Sequence, residues 1–291
     1  MSNSFIKSYW KPLTAVIVWG FSFVATKYAL DEITPLTIIF LRQLLGIAFL
    51  GFIIIKQKKS FKITRQNFFW IILLGLVTSL HLFIQVTGLQ WTTASNTGWI
   101  IGVTPVFMII LSAIFFKERI TLMQLGGILV AFAGLILLVS KGDITKIDLI
   151  KNKGDVLVIT SSFTWAVYSI ISKKATLDFS PLLATFYLFA IMAIVTAPFN
   201  FCPGVINAVI HLSLGRWLAI IFLGILCSGV GYMFWAQSLN EMSASRAGAF
   251  LYFEPFIAFF SSVILLDEKA TILTFLSGII IIAGVILVNR K

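Results

Sequence analysis

The chain of 291 residues is 59% hydrophobic and only 11% charged, with a formal net charge of +11. A soluble domain carries about 25% charged residues to keep its surface wet, so this composition excludes one. It also excludes a nucleic-acid partner, because no polar stretch is long enough to fold into a basic surface; the positive balance is ascribed to topology and anionic headgroups.

Apolar runs such as 93–116 and 271–288 exceed the ~18 residues that mark a spanning helix. Hydrocarbon offers backbone groups no water, so each run must bond itself as an α-helix. A β-barrel would need short alternating segments, and these runs do not alternate. In chain order, spans are predicted near 12–30, 34–55, 68–90, 93–116 and 121–140, then near 154–175, 180–199, 215–238, 244–266 and 271–289. The first is read as a retained helix, since it lacks a small-residue cleavage site and is too long for a signal peptide's apolar core. The expected fold is an all-α integral membrane protein of ten transmembrane helices, with halves at 1–140 and 154–291 joined by a polar linker at 141–153. Cys202 and Cys227 form no CxxC pair and have no nearby histidine, so no disulfide, metal or other cofactor is expected.

With the N-terminus inside, the inner loops and tails hold Lys7, Lys11, Lys56, Lys58, Lys59, Lys62, Arg65, Lys117, Arg119, Lys173, Lys174, Arg246, Arg290 and Lys291. The outer loops hold only Lys141, Lys146, Lys151, Lys153, Arg216 and Lys269. This bias predicts a multi-pass protein of the cytoplasmic (inner) membrane with both termini in the cytoplasm.

The halves repeat. Trp19 maps to Trp165, Lys27 to Lys173 and Pro35 to Pro181, each 146 residues on; Ser95 maps to Ser245, Gly98 to Gly248, Pro105 to Pro255, Glu118 to Glu268, Thr121 to Thr271 and Gly134 to Gly284, each 150 residues on. Five helices per half is an odd number, so the two halves enter the membrane in opposite senses. Inverted repeats place a site between them at the midplane, and rocking of the halves gives alternating access.

The segment Trp19-Gly20-Phe21-Ser22-Phe23, followed by Lys27-Tyr28-Ala29-Leu30, Pro35 and Arg42, resembles the opening of the EamA-like transporters of the drug/metabolite transporter superfamily. Thr104-Pro105, Phe116 to Thr121, Gly126-Gly127 and Ala133-Gly134 resemble the end of an EamA repeat, and Glu254-Pro255, Leu266 to Thr271 and Ala283-Gly284 resemble it again. Leu188 stands where a second Arg42 would fall. The resemblance implies ten helices around a central cavity and export of amino acids or related metabolites. The superfamily also moves nucleotide sugars, phosphorylated sugars, quaternary amines and drugs.

Glu254 is the acid deepest within a predicted span, and it precedes Pro255. An intramembrane carboxylate is costly, so it is expected to face a wet cavity as counter-ion to an amine or as a proton site; the structural reading is an ion pair with Lys27 or Arg42. Pro105 and Pro255, with Gly20 and Gly231, are candidate hinges. Lys27 is read either as a site residue or as a cation reaching the outer interface. Arg42 is read as a clamp on loop carbonyls in preference to a site residue. Thr78, His81 and Gln85 share a helix face that should point inward, with His81 either a proton relay or simply hydrogen-bonded. Trp19, Trp165, Tyr168, Trp99, Tyr232, Trp235 and Tyr252 lie mid-span, away from the interface belts where Trp and Tyr concentrate. Aromatic faces with one carboxylate suit an ammonium group or a flat side chain.

Gly126, Gly127, Ala131 and Gly134 form a small-residue stripe, read as packing within the monomer, with a homodimer through the fifth and tenth spans as the other reading. The leading expectation is a secondary exporter of amino acids or small amine-bearing metabolites. The alternative is a carrier of organic cations, drugs or quaternary amines that depends on Glu254. No HExxH, GxSxG or phosphate-cradling loop occurs, which argues against an enzyme, and an inverted repeat argues against a channel.

Overall fold

In the computed structural model, residues 2–140, 150, 152–176, 179–266 and 272–290 are described. Most of the 141–153 linker, including Lys141, Lys146 and Lys151, lies outside them, as do Asp267, Glu268, Lys269 and Thr271.

Every regular element among the described residues is helical. Among the described residues nine helices are long and apolar enough to cross a membrane, Ser2–Ala29, Pro35–Lys56, Arg65–Gln90, Ala94–Phe116 and Leu122–Ser140, then Lys153–Ala175, Pro181–Phe199, Leu214–Glu241 and Ala244–Leu265; Ile272–Asn289, with a shorter apolar stretch, takes the place of the tenth span. A short helix, Pro203–Ile210, joins the seventh span to the eighth. At 1.5 Å per residue, 18 or more helical residues match a hydrocarbon layer of about 30 Å.

The ends are placed by local chemistry. Pro35 and Pro181 occupy first-turn positions, where a missing N–H costs nothing. Thr34, Thr64, Thr93 and Ser243 each accept an N–H of the helix they start, and Asn152 forms a capping box with Asp155. Large apolar side chains such as Phe52, Phe115, Leu122 and Ile279 point outward, while serines and threonines are buried. Ser161, Thr185 and Ser238 return their hydroxyls to carbonyls of their own helices, at 2.7, 2.8 and 2.7 Å. That polarity is the one expected in lipid, where a hydroxyl without water must find a carbonyl.

The halves interdigitate. The first span packs on the eighth and ninth, the second on the seventh and eighth, the third on the sixth and seventh, and the fifth on the tenth. This is an all-α membrane fold of two inverted five-helix repeats around a central cleft. Tyr9 donates to the carbonyl of Asn289 at 3.3 Å, so both chain ends lie on one face, called here the terminal face. The opposite one, where the fifth span ends and the sixth begins, is called the linker face. Lys11 and Glu241 pair at the terminal face, and Arg216 meets Glu32 at 3.2 Å at the linker face, so the first and eighth spans are tied at both ends.

Two glycines of the small-residue stripe are spent inside the monomer. A Cβ on Gly127 would lie 2.7 Å from the amide nitrogen of Val288, and one on Gly134 would lie 2.9 Å from that of Ile281. The fifth and tenth spans use Gly127 and Gly134 of this stripe on each other, while Gly126 faces open space.

Four spans depart from uniform α-helix, which the apolar runs do not foretell; the seventh does so only at its end, in a 3-10 turn at Ala197–Phe199. The fourth breaks between Ile101 and Thr104, just ahead of Pro105. The ninth passes through a 3-10 turn, Phe250–Tyr252, just ahead of Pro255. A proline has no N–H for the carbonyl four residues back, so Ile101 and Leu251 each lose that partner. The eighth is a π-helix over Phe222–Tyr232, a wide winding that recurs at functional sites.

Candidate functional site

Trp19 and Trp165, repeat equivalents, meet edge to face with ring centroids 4.9 Å apart. Two groups related by a two-fold axis can touch only where they lie beside it, so this contact marks the centre of the molecule. Tyr232 packs 5.7 Å from Trp19 and 5.2 Å from Trp165, and Trp235 and Tyr168 complete the cluster. Trp19 is held by its indole N–H, which donates to the carbonyl of Cys227 at 3.0 Å in the π-helical stretch. Gly231 lets that stretch come close, since a Cβ there would stand 2.7 Å from the same indole nitrogen. Gly20 likewise serves a close approach, to Ile257 of the ninth span.

A cleft extends from this cluster toward the linker face. Its walls carry Trp19, Ser22, Phe23, Arg42, His81, Gln85, Thr104, Ser162, Trp165, Tyr232 and Glu254, with Leu82 and Ile101. The empty space is about 430 Å³ including the mouth, but only about 40 Å³ of it admits the centre of a water molecule. One water needs about 10–15 Å³ by that measure. The cleft therefore holds a few waters, and must widen to take a metabolite.

Both charged groups on its wall are buried, Arg42 at 4% and Glu254 at 8% exposure. They are not paired with each other: Arg42 donates through Nε to Ser228 Oγ at 2.9 Å, and Glu254 makes no hydrogen bond or ion pair among the described residues. Neither of the ion pairs expected for Glu254, with Lys27 or with Arg42, forms. His81 Nδ1 sits 3.0 Å from the carbonyl of Ser161 and 3.2 Å from Thr164 Oγ1. A carbonyl only accepts, so Nδ1 carries the proton in that bond.

The carbonyl clamp expected of Arg42 belongs to Lys27 instead. Lys27 Nζ donates to the carbonyls of Leu89, Gln90 and Thr92 at 2.8, 3.1 and 2.8 Å. It closes the C-terminus of the third span, where orphan carbonyls and the helix dipole favour a cation, and it lies off the cleft wall. Of the mid-span aromatics, Tyr168 and Trp235 stand behind the cleft on its terminal side, and Trp235 donates through Nε1 to Ser169 Oγ at 3.0 Å. Trp99 and Tyr252 are also off the wall; Tyr252 is fully buried in the 3-10 turn. Pro105 and Pro255 sit beside the cleft at the two helix breaks, next to Thr104 and Glu254. Ser162 and Ile101 were not singled out from the sequence. The signal for each was present: Ser162 stands one turn before Trp165, and Ile101 is the carbonyl that Pro105 frees.

The sequence model of the EamA-like transporter family matches the chain twice, over residues 8–140 and 152–290. The chain belongs to the EamA-like transporter family. It is 31% identical to an uncharacterized transporter of Archaeoglobus fulgidus over 95% of each chain. It is 26% identical to a protein of Escherichia coli described as "Probable amino-acid metabolite efflux pump", covering 94% of this chain and 91% of that one. It is 24% identical to the "Probable terminal-alkyne amino-acid exporter" of Streptantibioticus cattleyicolor, covering 98% and 94%. A solved crystal structure covers 97% of this chain and 96% of its own with a TM-score of 0.77 at 19% identity, which shows that the two share a fold. The chain is thus a multi-pass membrane transporter, and the family and its relatives indicate transport and not catalysis.

Proposed function

We propose that this EamA-like transporter exports small zwitterionic metabolites, amino acids foremost, by alternating access. The observation that carries this reading is the pair of opposite charges, Glu254 and Arg42, on one narrow cleft without an ion pair between them. Buried charges are costly unless compensated. An ammonium at Glu254 and a carboxylate at Arg42 would compensate both at once, with the faces of Trp19 and Trp165 against the side chain. The printed descriptions of the Escherichia coli and Streptantibioticus relatives support amino acids and the outward direction. The cation distribution supports cytoplasmic termini, which puts the cleft on the external side in this state. No ATP-binding motif occurs in the sequence, so gradients of substrate or ion drive the cycle. A carrier of organic cations would have to place its ligand beside the Arg42 guanidinium, a like-charge contact that argues against it.

A ligand-panel thermal-shift assay tests the reading on the purified wild type, Glu254→Gln and Arg42→Gln. Aromatic and small amino acids should stabilise the wild type, with affinity falling roughly 10- to 100-fold in each variant as a charged hydrogen bond is lost. Stabilisation by choline or polyamines that survives Arg42→Gln but not Glu254→Gln would replace the zwitterion with an organic cation. An identical amino-acid response in all three proteins would refute the assignment of both charges.

A further inference from the structure

The cleft wall contains three repeat pairs: Trp19 with Trp165, Leu82 with Tyr232, and Thr104 with Glu254. An inverted repeat has two equivalent ways of packing its halves, and exchanging their conformations moves the cleft from one face to the other. The three pairs map onto each other under that exchange, so they stay on the wall in both states. The remaining positions map elsewhere. Offsets of 146 in the first two helices of each half and 150 in the third and fourth carry Ser22 onto Tyr168, Phe23 onto Ser169, Gln85 onto Trp235 and Arg42 onto Leu188. Tyr168, Ser169 and Trp235 are now fully buried, with no exposure, on the terminal side of the tryptophan contact.

We propose that Tyr168, Ser169 and Trp235, with Glu254 and the two central tryptophans, form a second substrate cleft that opens on the terminal face. Its ligand is an amine-bearing metabolite with an aromatic or large apolar body. This inference rests on reading the linker-face cleft as the substrate site, and deepens it. Glu254 belongs to both sets, so the ammonium keeps one partner throughout the cycle. Arg42 has no counterpart, because Leu188 stands there, so only the linker-face cleft holds a carboxylate. Gln85 and His81 are exchanged for Trp235 and Gly231, which makes the second cleft an aromatic box around a single acid. Such a box favours an ammonium through cation–π attraction and a flat or bulky side chain through burial. The hydrogen bond from Trp235 Nε1 to Ser169 Oγ, at 3.0 Å, joins two walls of the closed cleft and must break for it to open.

The test is thiol accessibility in membrane vesicles of either orientation, with Cys202→Ser and Cys227→Ser as background and a membrane-impermeant methanethiosulfonate as reagent. Ser162→Cys reports the linker-face cleft and Ser169→Cys the proposed one, with phenylalanine as the ligand. Ser162→Cys should be labelled from the linker face and Ser169→Cys from the terminal face, each protected by phenylalanine. Ser169→Cys itself removes the acceptor of that hydrogen bond, and adding Trp235→Phe takes away the indole packed over position 169, which should speed labelling severalfold further. If Ser162→Cys is labelled and protected while Ser169→Cys stays unlabelled from both faces, with and without Trp235→Phe, the second cleft is wrong and the first site stands. If both are labelled from their expected faces but phenylalanine protects neither, the ligand class and the substrate reading on which it rests both fail.

Discussion

Lys27 and Lys173 make the same bonds on opposite faces of the protein. Lys27 Nζ holds the carbonyls of Leu89 and Thr92, both at 2.8 Å, and Lys173 Nζ holds those of Leu239 and Met242 at 2.7 and 2.6 Å. The acceptors are repeat equivalents, each 150 residues apart. Each lysine closes the C-terminus of a helix that packs beside its own. Lys27→Met or Lys173→Met removes a cation from part-buried helix-end carbonyls, and should cost about 1–2 kcal/mol. Thermal unfolding in detergent checks this. The double variant should lose roughly the sum, because the two clamps share no partner.

Glu118 offers a similar case at a helix start. Its carboxylate accepts from the amides of Ala244 and Ser245, at 2.9 and 3.2 Å, and from Ser245 Oγ at 2.7 Å. It therefore caps the ninth span, the helix that carries Glu254. Glu118→Ala should destabilise by about 2 kcal/mol, with Glu118→Gln recovering part of that. The same unfolding assay separates the two, and equal losses would show that charge contributes nothing.

Neighbouring glycines of the fifth span should respond oppositely to one methyl group. A Cβ on Gly126 meets nothing within 4 Å, whereas one on Gly127 lies 2.7 and 2.8 Å from backbone atoms of the tenth span. Gly126→Ala should be neutral or stabilising by up to about 1 kcal/mol. Gly127→Ala should cost about 1–3 kcal/mol through overpacking. Thermal stability of the pair measures the difference directly.

Pro105 and Pro255 interrupt the two spans beside the cleft. Pro255→Ala restores the missing N–H and should leave thermal stability unchanged or higher. If the break serves the change between states, transport slows by about tenfold, or ~1.4 kcal/mol on the limiting barrier, while ligand affinity is kept. Counterflow in proteoliposomes beside a binding assay tells these apart; unchanged turnover in both Pro105→Ala and Pro255→Ala would remove the hinge role.

Much of the scaffold was legible because lipid allows few solutions. Long uncharged runs must be helices, and repeat positions such as Trp19, Pro105 and Gly134 are recognisable because their side chains have a job in both halves. The cleft was harder to read. Glu254 is conspicuous as a buried acid, but which cation clamps carbonyls depends on contacts between spans. Lys27 reaches residues 62 to 65 positions away, and sequence spacing carries no signal for that. Helix phase was the second obstacle. Tyr252 lies in the 3-10 turn itself, where helix phase differs from that of an unbroken α-helix. Tyr168 and Trp235 stand at the right depth but behind the tryptophan contact.

The π-helical stretch of the eighth span has a consequence for the register of the whole second half. From its N-cap Thr64 to the clamped carbonyl of Leu89, the third span advances 25 residues; from N-cap Ser213 to Leu239, the eighth advances 26. The two are counterparts, yet one holds a residue more between the same two fixed points. Winding the backbone wider absorbs that residue without pushing Leu239 past Lys173 or turning Tyr232 away from the centre. The eighth span thus carries one residue more than its repeat counterpart within the wider winding, and the carbonyl of Cys227 that holds Trp19 belongs to that stretch. Deleting one residue there should give a straighter helix with both ends still in place, and a central tryptophan that has lost its anchor.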